Sequence, residues 1–212
     1  MSALSKIEIC NLALASVGAD SIRSFDENNK RARMCDVFFD STRDYLLSKF
    51  DWNFARKLEK LNKVIDDTLV VPTGYFVYQL PYDCKMPIEL LPEGSRDKWY
   101  INGDKLYCQY DSEEYDVILA YTSREVNTHM FTDAFSNVLA LGLAARLAPT
   151  LTQDIGLTKT LYNQYQIELQ EVMSDDANVG NEYRKYDETP NNDTFVYPDG
   201  YIDVFEDNCL WR

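Results

Sequence analysis

A chain with a single histidine, His129, has few routes to catalysis. A multi-histidine metal centre is impossible within one copy, and a Ser-His-Asp triad would have to pass through that residue. His129 stands just before a predicted helix, which fits a capping or surface role. Five cysteines, Cys10, Cys35, Cys84, Cys108 and Cys209, are scattered with no CxxC pair. Their odd number and dispersion fit reduced thiols packed as small core hydrophobes. Adjacent carboxylates occur at Asp66-Asp67, Glu113-Glu114 and Asp175-Asp176. Paired acids can do acid–base work, yet neighbours in sequence point to opposite faces of a strand and in loops are solvated. The eight glycines form neither GxGxxG nor the GxxxxGK phosphate loop. The residues therefore point to no enzyme, no cofactor and no metal.

What remains is charge. The stretch YLLSKFDWNFARKLEKLNK, Tyr45 to Lys63, is an island of cations and aromatics in a chain of net charge -14. Residues 30–63 carry nine Lys or Arg against five Asp or Glu, a balance of +4, while the remainder stands at -18. Arg31, Arg33, Arg43, Arg56, Lys57 and Lys60 are the cations available to grip either nucleic acid or an acidic protein surface. The overall negative field disfavours general attraction to DNA or to an anionic membrane. At the other end, residues 174–212 hold ten acids and three bases, together with Phe195, Tyr197, Tyr201, Phe205, Leu210 and Trp211. A purely solvated tail is usually poor in aromatics, so this one reads as built to lie on a surface, its own or a partner's.

These groups must be positioned by a chain of 212 residues, enough for one domain with an appendage or for two small ones. Apolar residues at Leu4, Ile7, Cys10, Leu12, Leu14 and Val17 recur close to helical steps and stop at Gly18, giving a first helix at about 2–17. A second helix is expected at about 28–49, with Ala32, Cys35, Phe38 or Phe39, Thr42, Tyr45 and Leu46 on one face. Residues 72–123 change to short aromatic and β-branched runs broken by Pro, Gly and Asp. Within them PIELLP reads as an edge strand, and KWYINGDKLYCQY as a tight hairpin about Asn102-Gly103. Helical period returns at about 130–148, ending before Pro149, where small residues at Ala140, Gly142, Ala144 and Ala145 would admit a close neighbour. Thr150 and Gln153 suggest a capping box for a fourth helix at about 152–173. The expected fold is α+β and mainly α. It is an antiparallel bundle of about four helices with a small antiparallel hairpin sheet inserted between helices 2 and 3, followed by an extended tail over 174–212. No apolar run resembles a signal peptide or approaches the roughly 20 residues of a membrane span, so folding in a cytosol is expected.

The run ICNLALASVGADSIRSFDENNKRARMCDVFFDSTRDYLLSKFDWNFARK resembles the N-terminal signature of phage tail tubular protein A and related head-to-tail adaptors. The elements that carry the likeness are a first helix ending LALASVG and an Ile-x-Ser-x-x-Glu connection through Ile22, Ser24 and Glu27. A long helix follows and closes on LLSKFDWNFARK, with Trp52, Phe54 and Ala55 as its core. With the strands and two later helices, the likeness reaches from about Ile7 to Met173. It implies a structural virion protein of the tail or neck, assembled in the host cytoplasm. Such proteins form a homo-oligomeric ring, typically of twelve copies, that joins the portal to the tail nozzle. DNA passes through the ring's channel without specific binding, and no membrane is involved. A closed ring needs two different patches that meet. The basic segment and the acidic, aromatic tail are the candidates for subunit or portal contacts, and a DNA-binding or other interaction module using residues 30–63 is the alternative.

Overall fold

The computed structural model describes residues 4–66, 69–91 and 99–184, with side chains described as far as 179. The chain divides into two compact units, 1–176 and 177–212.

Helix α1, Lys6–Ser16, starts on a full capping box: Ser5 accepts from the Glu8 N–H, and the Glu8 carboxylate accepts from the Ser5 N–H. It ends at Gly18, whose φ of 69° suits a residue without Cβ. Helix α2, Lys30–Leu47, is capped by Asn29, whose side chain accepts from the Ala32 N–H. The connection between them is locked by side chains. Asn11 both donates to the Ile22 carbonyl and accepts from the Ile22 N–H. Glu27 accepts from the N–H groups of Arg23 and Ser24. After α2 the chain turns on Trp52, which is fully buried and donates from Nε1 to the Leu46 carbonyl at 2.9 Å.

Among the described residues seven strands follow: β1 (Arg56–Lys60), β2 (Asn62–Lys63), β3 (Phe76–Gln79), β4 (Cys84–Leu91), β5 (Trp99–Asn102), β6 (Lys105–Cys108) and β7 (Ile118–Ser123). They form two antiparallel sheets, ordered β1-β7-β4 and β2-β3-β6-β5. The expected bundle with a single inserted hairpin sheet is thus corrected to an α+β fold with two separate sheets. The physical reason lies in β7, which is buried from Leu119 to Ser123 and so needs a hydrogen-bonded neighbour on each side. One neighbour is β4, whose Pro87 and register shifts suit an edge. The other is β1, drawn from a Lys- and Glu-rich segment with no alternation to announce a strand. The two sheets share a core of Tyr78, Leu90, Leu106, Val117, Leu119 and Tyr121.

The hairpin turn lies one residue later than Asn102-Gly103. Asn102 pairs with Lys105, so Gly103 and Asp104 form the loop. Gly103 has φ of 64° and Asp104 does not have positive φ, the pattern of a II′ turn.

Helix α3, Asp133–Leu151, is capped by Thr132 and runs through Pro149 rather than stopping before it. The expected capping box at Thr150 and Gln153 is replaced as well. Thr152 closes α3, Gln153 takes a φ of 56°, and Asp154 accepts from the Leu157 N–H to start α4, Ile155–Arg184, which continues past Met173. In length and mean hydropathy of 1.3, α3 reaches what a membrane span requires. Its Phe135, Val138, Leu139, Leu143 and Leu147 are instead buried in the core shared with α1 and α2.

The small residues of α3 do admit a neighbour. A Cβ at Gly142 would stand 2.9 Å from the Tyr165 ring and 3.3 Å from the Thr42 methyl, closer than packed carbons allow. Gly142→Ala gains helix propensity but must push a buried ring aside, so a net loss of roughly 1–2 kcal/mol is expected. Urea unfolding of the variant checks this, and an unchanged or higher midpoint would contradict it.

Candidate interaction surface

The six cations singled out from the sequence lie on α2, at its start and toward its end, and on β1. Five of them are engaged within their own domain. Arg31 pairs with Asp20 at 3.0 Å, and Arg43 with Asp40 at 3.0 Å and Asp44 at 2.8 Å. Arg56 lies 3.6 Å from both Asp51 and Glu89, and Lys60 meets Asp116. Lys57 reaches Asp83 at 2.6 Å. Arg33 is exposed and has no ion pair among the described residues. The well-exposed Lys60–Asp116 pair contributes only about 0–1 kcal/mol, whereas Arg43–Asp44, Arg56–Asp51 and above all Lys57–Asp83 are set deeper. Their larger effect is on the field: each carboxylate cancels a cation locally, which removes most of the positive surface that a grip on phosphates would need.

The Lys57 pair leads into the most polar part of the interior. Asp83 is 2% exposed, and its Oδ2 accepts from Lys57 Nζ and from Ser123 Oγ, each at 2.6 Å. Its Oδ1 lies 2.9 Å from the Tyr121 hydroxyl, which stands at the same distance from Glu59 Oε2. That hydroxyl has one proton to donate, so the two carboxylates share a single donor. The Asp83 carbonyl also accepts from the Arg124 N–H at 2.8 Å. Burial pushes the Asp83 carboxyl up, but the hydrogen bonds from Lys57, Ser123 and Tyr121 outweigh it and hold the group below its ordinary value. Burial, followed by the two carboxylates, pushes the Tyr121 hydroxyl well above its ordinary value. Asp83 is therefore ionised and Tyr121 protonated, a network that ties β1, β7 and the start of β4 together. No sequence signal marks it: Lys57, Tyr121 and Ser123 lie 26, 38 and 40 residues from Asp83.

The groups that could have carried chemistry are dispersed. His129 is exposed in a short 3-10 turn, Thr128–Met130, with its N–H bonded to the Asn127 side chain. Cys10, Cys35 and Cys108 are buried, Cys84 is half-buried, and all four are free. Cys209 and Asp67 fall outside the described residues. The Asp176 carboxylate accepts from the Asn53 N–H and side-chain amide at 3.0 Å each, and burial raises it above its ordinary value. Glu113 and Glu114 are exposed beside Asp111, which pairs with Lys63. Among the described residues no group of three or more His, Cys, Asp and Glu could hold a metal ion. A groove of about 600 Å³ lies between strand ends and is lined by Glu59, Lys60, Gln79, Tyr82 and Asp104. Its acids have partners too, since Asp104 pairs with Lys105.

No family model and no curated protein matches this chain. The likeness to the adaptor family rests on the quoted residues alone.

Those residues do have visible work in the fold. Ile22, Ser24 and Glu27 make the locked connection between α1 and α2, and Trp52 seats the exit of α2 against Phe135 at 5.0 Å between ring centroids. Ala55 is buried beside them, and Phe54 stacks edge-on against Phe131 and Phe135. Surface left uncovered includes Ile65 and Val70, each at least 90% exposed, and Leu58 on β1 at 65%. Phe195, Tyr197, Tyr201, Phe205, Leu210 and Trp211 lie outside the described residues.

Proposed function

We propose that this chain is a structural virion protein, a head-to-tail adaptor that forms a ring between portal and tail nozzle and surrounds the DNA channel. The observation that carries the reading is architectural. The residues that resemble the adaptor signature are those that lock α1 to α2 and anchor the chain on Trp52, so the signature describes a scaffold and no reaction centre. Paired cations and a net charge of -14 add to it, because a channel wall that repels phosphates lets DNA slide without sticking. A ring of about twelve copies, bound to portal and nozzle, would repeat one contact between two unlike patches.

Molar mass in solution tests the proposal, measured for the chain alone and with a portal complex. The expected result is a ring on the portal, whether or not the free chain is already assembled. A monomer under both conditions overturns it.

A further inference from the structure

Strand β1 leaves one edge of its sheet open, since it is the terminal strand of the order β1-β7-β4. The Leu61 N–H donates to the Val117 carbonyl at 2.8 Å, which fixes the alternation of the ladder. Glu59 and Lys57 then exchange bonds with Leu119 and Tyr121, and the backbone groups of Arg56, Leu58 and Lys60 point to the open edge. The side chains divide the same way. Lys57 and Glu59 face Asp83 and Tyr121, while Arg56, Leu58 and Lys60 share the other face, where Leu58 is 65% exposed. The open edge thus presents cation, apolar residue, cation at every second position. An uncovered edge of this kind is a template for one more strand.

A strand that answers it needs acid, apolar residue, acid at the same spacing. The sequence outside the described residues contains that pattern in DGYIDVFED, where Asp199, Tyr201, Asp203, Phe205 and Asp207 alternate acid with aromatic. We propose that segment 199–207 of a neighbouring copy docks along β1 as an added antiparallel strand, with Asp207, Phe205 and Asp203 opposite Arg56, Leu58 and Lys60. The neighbouring copy as donor rests on the ring reading above, and the docking gives that ring its two unlike patches. Directly opposed charges and an apolar pair stabilise such a strand pair, and the added backbone bonds satisfy the open edge. Both members of the Lys60–Asp116 pair are more than half exposed, so that exchange costs little. Arg56 and Asp51 are only about a quarter exposed, but Arg56 stands 3.6 Å from Asp51 and from Glu89, longer than a hydrogen bond, and Glu89 is half exposed.

The test uses the full chain with a photoreactive benzophenone side chain in place of Phe205, mixing isotopically light and heavy copies with and without portal. Cross-links joining light to heavy chains at residues 56–60 are expected. Arg56→Glu with Lys60→Glu should lower their yield about tenfold, and adding Asp203→Lys with Asp207→Lys should restore it. Cross-links that map elsewhere, join only residues of one copy, or ignore both charge changes overturn the proposal. Cross-links at β1 without a ring-sized mass would leave the docking standing and remove the ring reading. A ring-sized mass without them would do the reverse.

Discussion

Trp52→Ala is expected to cost about 3–5 kcal/mol, a large part of the roughly 5–15 kcal/mol that holds a domain of this kind together. The indole is fully buried, with Phe50, Phe54 and Phe135 around it at centroid distances of 5.4, 6.0 and 5.0 Å. Removing it empties the joint where the exit of α2 meets α3 and leaves the Leu46 carbonyl without its indole donor. For a chain of 212 residues this corresponds to a midpoint lower by roughly 6–20 °C in a thermal melt. Trp52→Phe keeps most of the apolar volume and loses the hydrogen bond, so it should fall between wild type and alanine. An alanine variant within about 1 kcal/mol of wild type would show that the joint collapses around the gap and that the anchor is dispensable.

Asp83→Asn should give the second large effect, about 2–4 kcal/mol at neutral pH, because an ionised acceptor of three donors becomes a neutral amide in a buried site. The half-exposed Lys57 can return to water, which keeps the loss below that of a wholly buried pair. The pH dependence follows from the direction of the shift. The folded carboxyl lies below its ordinary value near 3.8, so the unfolded chain binds the proton more readily. The stabilisation is therefore complete above that value and is lost as pH falls through the depressed folded one. Glu8, Glu27, Asp104 and Asp111 are also held low by their hydrogen-bond donors, so wild-type stability should fall in acid for several reasons. The part due to Asp83 is the difference between the two proteins. Urea midpoints measured from neutral pH downward should converge as the medium becomes acidic, and a constant gap at all pH values would contradict the ionised network.

How much of this was legible in advance depends on the range of the interaction. The helices were visible because their apolar period is written in neighbouring residues, whereas the caps at Ser5 and Asn29, which start α1 and α2 later than expected, were not read from the sequence. The close approach at Gly142 was legible from the small residues of α3, though which ring fills it was not. Helix ends were harder. The carriage of α3 through Pro149, and the transfer of the cap to Asp154, depend on how each terminal turn finds its acceptors.

The sequence by itself determined the helical segments, the position of the hairpin to within a residue, the scattering of histidine and cysteine, and the concentration of positive charge in residues 30–63. Each is a property of residue type and short spacing. Only the tertiary structure decided that RKLEK is a strand, that two sheets form where one was expected, and that the cations face acids of their own domain. Arg56–Lys60 has no strand pattern, because an edge strand exposed on both faces has no buried side to impose alternation. Its conformation is set by β7, which lies some sixty residues on in the chain and needs a neighbour for its backbone. The pairing of Lys57 with Asp83 follows from that same juxtaposition, since only the sheet brings the two within hydrogen-bonding distance.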